Sequence, residues 1–133
     1  MTEKTAPDVI RIERLEDAGR VFQDTFNAGD VDGLVNLFEP DAVLVPAPGQ
    51  ATVGSDAIRE VFAGFLATWE RFEIKVFSRH QVGDIALITA EWKVEGKDPD
   101  GNPVTLRARP AIVFRRQADG SWRFLIDNAF PFD

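Results

Sequence analysis

The sequence has no cysteine, no tyrosine, one methionine and one histidine. Without cysteine there are no disulfides, zinc thiolates, iron–sulfur ligands or thiol nucleophiles. A lone histidine, His80, cannot build a multi-histidine metal site, so neither metal nor other cofactor is expected. No stretch approaches the roughly 18 apolar residues of a membrane span. The opening MTEKTAPD lacks the apolar core of a signal peptide, which leads to the expectation of a cytoplasmic protein with flexible residues 1–8 and no membrane partner. Positive charge is in the minority: 15 Lys and Arg stand against 22 Asp and Glu, a net of −7. That balance sets aside a duplex-binding role, and no nucleic acid partner is expected.

What is present fits one globular domain spanning residues 1–133, 44% apolar and 28% charged. Eleven Phe and three Trp supply large rings without phenol hydroxyls. Such rings suit a core or an apolar cavity better than a hydrogen-bonding groove.

Periodicity divides the chain in two. Leu15, Ala18, Phe22 and Phe26 recur at steps of three and four, the stripe of an amphipathic helix. Gly29 suits the left-handed position that closes it, and Asp30 can cap a second, short helix carrying Val31, Leu34, Val35 and Phe38. A β run follows at Ala42–Val45 and is expected to stop at Pro46-Ala47-Pro48-Gly49. A third helix opens at Gly54-Ser55-Asp56, with Ser55 the expected cap; Ile58, Val61, Phe62, Phe65, Leu66 and Trp69 mark its buried face.

After Trp69 the period falls to two. Strands are expected from Phe72 through Val76, over Ile85–Val94, over Val104–Arg116 as one long strand, and over Trp122–Phe130, with turn-rich segments between. Three helices followed by hairpin-linked strands specify an α+β fold, with the helices on one face of a bent antiparallel sheet.

Alternation assigns strand faces. Ala86, Ile88, Ala90 and Trp92, with Leu106, Ala108, Pro110, Ile112 and Phe114, form an apolar, helix-facing side. Leu87, Ala111, Val113, Phe124 and Ile126 fall on the other side, an apolar set that predicts a homodimer through the outer sheet face. Asp127 shares parity with Leu125 and Ala129; if that is the inner side, it is an acid in the wall of an apolar cavity. Such a carboxyl is hydrogen-bonded, protonated or functional. His80 has the parity of Phe72, Ile74 and Val76, which predicts a place at the cavity rim.

Other patterns carry no chemistry. Asp98-Pro99-Asp100-Gly101-Asn102 starts like a calcium loop, but Pro103 and Arg109 stand where glycine and glutamate are required, so it is a turn. Arg107, Arg109, Arg115, Arg116 and Arg123 suit cross-strand ion pairs or an interface better than an anion patch.

The segment Phe26–Phe38 (FNAGDVDGLVNLF), the strings Asp41–Val45 (DAVLV) and Gly54–Ile58 (GSDAI), and the ending Val113–Phe124 (VFRRQADGSWRF) together resemble the nuclear transport factor 2-like superfamily, in its SnoaL-like and ketosteroid-isomerase-like branch. The resemblance covers nearly the whole chain. It implies a conical fold, a bent sheet wrapped round three N-terminal helices and enclosing an apolar pocket, commonly in a homodimer. It does not carry over the chemistry of ketosteroid isomerase. That enzyme uses an Asp base with an oxyanion hole of Tyr and protonated Asp; the matching positions here are Pro46, Phe22 and Ile112.

Two functions follow as expectations. The first is an enzyme doing acid/base chemistry (isomerisation, cyclisation or water addition) on a small apolar molecule, with Asp127 as general acid or base assisted by His80. Phe22, Phe62, Trp92, Ile112, Phe114 and Ala129 would contact that molecule. The alternative is a non-catalytic binder of a small hydrophobic ligand in the same cavity.

Overall fold

The computed structural model describes residues 9–132; the expectation of flexibility at residues 1–8 lies outside them. Helix α1 spans Ala18–Asn27, preceded by a 3-10 turn at Leu15–Asp17. Its stripe behaves as its spacing requires, with Leu15, Ala18, Phe22 and Phe26 all buried. The short α2, Val31–Asn36, starts at the expected cap: the Gly33 amide donates to Asp30 Oδ1 at 2.8 Å. Gly33 is tightly enclosed, since a Cβ there would lie 2.5 Å from the Asp30 carboxylate. Helix α3 spans Ser55–Thr68. Its cap position is taken by Gly54 at φ +94° without a side-chain bond, so Ser55 is the first helical residue rather than the cap.

Seven strands follow from the β-patterned sequence: β1 Phe38–Ala47, β2 Gln50–Val53, β3 Trp69–Val82, β4 Ile85–Lys97, β5 Pro103–Ala108, β6 Ala111–Arg116 and β7 Trp122–Asn128. Their order is β2-β1-β7-β6-β4-β3, with β5 also paired to β4. All pairings are antiparallel except β1 with β7. This is an α+β fold with the helices against one face of a curved, mainly antiparallel sheet.

Three details depart from the sequence expectation. Phe38, expected on the second helix, opens β1 instead. Pro46 and Pro48 do not stop the ladder, because β1 runs to Ala47 and turns at Gly49 (φ +72°) into β2. The expected strand 104–116 is broken at Arg109-Pro110, where proline cannot donate to a ladder; its halves line up along the same side of the long β4. The C-terminal residues Ala129, Phe130, Pro131 and Phe132 lie near this break, lining a groove together with Arg107, Ala108 and Arg109.

The edge strand β3 is shielded on its first half by α1. Asn27 accepts from the Phe72 amide at 2.8 Å and donates to its carbonyl at 3.0 Å, while Gln23 accepts from the Ile74 amide at 2.9 Å. These bonds hold α1 against the sheet and satisfy backbone groups that would otherwise be a template for pairing. Among the described residues no helix is long and apolar enough to cross a membrane.

Phenylalanine rings fill the space between sheet and helices. Phe22 lies 5.0 Å from Phe72, 5.5 Å from Phe124 and 5.9 Å from Phe62, between ring centroids. Phe124 also packs on Phe38 at 4.6 Å and Phe114 at 4.5 Å. Phe124 is therefore core, not part of the outer face that its parity suggested. The cause is a bulge: Val113 pairs Ile126 but Phe114 pairs Phe124, so Leu125 is one residue extra in β7 and the faces exchange across it.

Candidate active site

The same bulge sets the orientation of Asp127. Beyond Leu125, Ile126 faces outward and Asp127 inward, in register with Leu44 of β1 and Ile112 of β6. Ala129 is buried with it, whereas Leu125 is half-buried in the bulge. The carboxyl is 7% exposed, and its Oδ1 has no hydrogen-bond partner among the described residues. Burial without a compensating partner disfavours the charged form and pushes the pKa of Asp127 from 3.8 up to about 7. A carboxyl in this state can both hold and release a proton near neutrality, which is the property a general acid or base needs.

Asp127 lines two small cavities of about 30 Å³ each. One is walled by Ile112 and Phe114 with Ile88 and Val76, the other by Phe62 and Ala129 with Leu44 and Pro46. Phe22, Phe72 and Trp92 line both. The structure thus brings Phe22, Phe62, Trp92, Ile112, Phe114 and Ala129 together around Asp127. The interior they enclose is divided rather than one open pocket. Each part has room for about one or two waters, so a larger guest enters only if the dividing rings move.

His80 is not part of this group. A second bulge, at Phe77, places Ser78 opposite Thr89 where Val76 faces Ala90, and the faces of β3 exchange. His80 consequently pairs with Leu87, lies exposed on the outer face and lines neither cavity. The cavity-rim position expected for it is corrected accordingly. Trp92, expected as a contact of the bound molecule, lines both cavities and also reaches a surface groove along β3 and β4.

The arginines are mostly occupied structurally. Arg115 grips the buried Glu39 through Nε at 2.8 Å and Nη2 at 2.5 Å, with Gln117 adding a bond at 2.9 Å. The Arg115 hydrogen bonds hold the Glu39 carboxyl below its usual range. Arg116 binds Asp84 at 2.9 Å. Asp98 Oδ1 accepts from the amides of Asp100 and Asn102, closing a turn on itself.

Comparison with known proteins agrees with this architecture. The profile of the SnoaL-like domain family matches residues 19–124. A ketosteroid isomerase-like protein from Erwinia carotovora atroseptica superposes with a TM-score of 0.74 at 22% identity, over 85% of this chain and 89% of that one. A protein of the nuclear transport factor 2-like family from Streptomyces avermitilis, provisionally named a dehydratase, gives 0.70 at 22% identity over 86% and 91%. A protein from Novosphingobium aromaticivorans, provisionally named an aromatic ring hydroxylase, gives 0.71 at 23% over 90% and 87%. At these identities the likeness is one of fold, and the named activities belong to those proteins. None of the curated proteins compared matches the chain in sequence. With its family profile spanning most of the sequence, the chain belongs to the SnoaL-like domain family, and it shares its fold with these structures.

Proposed function

We propose that this protein is an acid/base enzyme acting on a small, largely apolar molecule, with Asp127 as the proton carrier. The observation that carries the proposal is the Asp127 carboxyl itself: buried among Phe rings, unpartnered at Oδ1, and poised at about 7. A fold rarely retains such a group for stability, because it lowers stability at neutral pH. The reaction class that suits one carboxyl in a largely apolar enclosure is proton abstraction and return, as in isomerisation, cyclisation or addition and loss of water. Steroid isomerisation of the familiar kind is not expected, since Phe22, Pro46 and Ile112 offer no base or hydroxyl there.

2-Tetralone, an apolar ketone with exchangeable protons beside its carbonyl, tests the proposal without knowledge of the natural substrate. Wild-type protein should accelerate its deuterium exchange in heavy water with an inflection near 7, and Asp127→Asn should abolish the acceleration. Binding of the ketone without acceleration would leave the alternative reading, a non-catalytic binder of small hydrophobic molecules. That reading is favoured by the small divided interior, in which Asp127 and Trp92 are the only lining residues, among those described, whose side chains carry a nitrogen or oxygen.

We propose also that the working unit is a homodimer through the outer sheet face. Val53, Val43, Ile126, Val113 and Leu87 form one continuous cross-strand row over five strands, ending at His80 on the sixth. Leu87 and Ile126 are exposed in the single chain at 42% and 40%. A straight apolar row across a twisted sheet is well suited to cross the same row of a second copy, and an interface of ordinary size would bury about 800 Å² on each side.

A further inference from the structure

Beside the break between β5 and β6, the C-terminal residues form a surface groove of about 320 Å³ lined by Arg107, Arg109, Glu91, Ala129, Phe130 and Phe132. Ala129 belongs to this groove and also to one of the two cavities beside Asp127. Phe130 meets Trp92, a wall of both cavities, edge-on at 6.4 Å. Groove and interior therefore share the Ala129 side chain and adjoin across the contact of Phe130 with Trp92.

The charge in this groove is out of balance. Arg107 and Arg109 share a single carboxylate, Glu91, at 3.6 Å and 3.4 Å. Both distances exceed a good hydrogen bond, and among the described residues neither guanidinium donates one. Arg115 and Arg116 by contrast have their donors engaged. Two planar forks with unspent N–H groups, on a chain whose net charge is −7, form a local site for a carboxylate, which a guanidinium binds through two parallel bonds.

We infer that the molecule accepted by the interior is an amphipathic monocarboxylate, whose anionic end rests on Arg107 and Arg109 in the groove while its apolar ring system passes Ala129 and Phe130 toward Asp127. This inference deepens the proposed function and rests on its placing of the ligand beside Asp127. Asp127 is the next-to-last residue of β7 and Ala129 lies just beyond the strand's end, so the anionic group and the reacting carbon belong at opposite ends of the ligand. Such a ligand uses its charge for orientation and its rings for burial, so the reacting end arrives in one direction only.

The test compares 2-naphthoate with neutral 2-naphthamide by calorimetry at pH 6, on wild type and on the Arg107→Gln/Arg109→Gln double variant. Both arginines are exposed, so the variant should keep the wild-type thermal midpoint. Naphthoate should bind wild type, with NMR contacts from its ring to the Ala129 methyl, and should weaken at least about tenfold in the variant. Naphthamide should bind more weakly and equally to both. Equal binding of acid and amide, unchanged by the variant, would overturn the carboxylate site and leave the apolar interior as the binding place. Arginine-dependent binding without contact to Ala129 would confine the ligand to the surface and overturn the inference too. Failure of both compounds to bind would remove it together with the interior binding on which it rests.

Discussion

Replacing Asp127 with asparagine should change how stability depends on pH, and the size follows from the structure. The carboxyl titrates near 3.8 in an unfolded chain and at about 7 in the fold. Below 3.8 both states hold the proton and Asp127 costs nothing. Between the two values the unfolded chain releases its proton while the folded one keeps it, so wild-type stability falls as pH rises. Above 7 both states are ionised and the loss is complete. A shift of roughly three units corresponds to about 4 kcal/mol, a large share of the ~5–15 kcal/mol that holds a domain together. The amide of Asp127→Asn and the protonated carboxyl it replaces are both neutral and unpartnered, so their pH-independent costs are of the same order and largely cancel. The variant should therefore be about as stable as wild type near pH 4 and should gain on it by about 4 kcal/mol by pH 8. Urea unfolding of both proteins from pH 4 to 8.5 measures the difference directly, and other titrating groups such as Glu39 cancel in it. Parallel curves, or a gap that widens against the variant as pH rises, would refute the buried, unpartnered carboxyl.

Further outcomes follow from other parts of the fold. Glu39→Gln should cost about 1 kcal/mol near neutrality, a charge-assisted bond discounted for the half-exposed Arg115. Because folding lowers the Glu39 pKa, that difference should be present above its unfolded value and vanish in acid as the folded carboxyl protonates, as paired unfolding curves will show. Gly33→Ala should lower stability by about 1–2 kcal/mol despite alanine's better helix propensity, since the new methyl meets the Asp30 cap and lies 2.9 Å from Thr25; a raised thermal midpoint would contradict the packing described. Val113→Asp combined with Leu87→Asp should convert a sedimenting dimer to monomer while preserving circular dichroism, and a wild type that is monomeric at micromolar concentration would remove the dimer.

The helices and the inner face of β4 were legible because their spacing is regular and local: Phe22 and Phe26, or Ile88 and Trp92, point where a plain helix or strand requires. The local strings from Phe26 to Phe38 and from Val113 to Phe124 carried the family as well. Positions beyond a bulge were not legible. One extra residue at Phe77 turned His80 outward, and one at Leu125 drew Phe124 into the core; neither residue carries a local signal that distinguishes it from ordinary strand. Asp127 was placed correctly by a parity that holds with Ala129 and fails with Leu125. The break at Arg109-Pro110 was available from proline alone, yet the apolar alternation on both sides concealed it. The dividing of the interior depends on how Phe22, Phe72 and Trp92 pack in three dimensions, which a linear pattern does not contain.

The most direct measurement is the titration of the Asp127 carboxyl carbon by NMR in protein labelled with ¹³C at aspartate, assigned by its loss in Asp127→Asn. The account predicts a single midpoint near 7 for this resonance. A midpoint near 4 would mean that the carboxylate is solvated or paired in solution, and would contradict both the buried proton and the chemistry proposed for it.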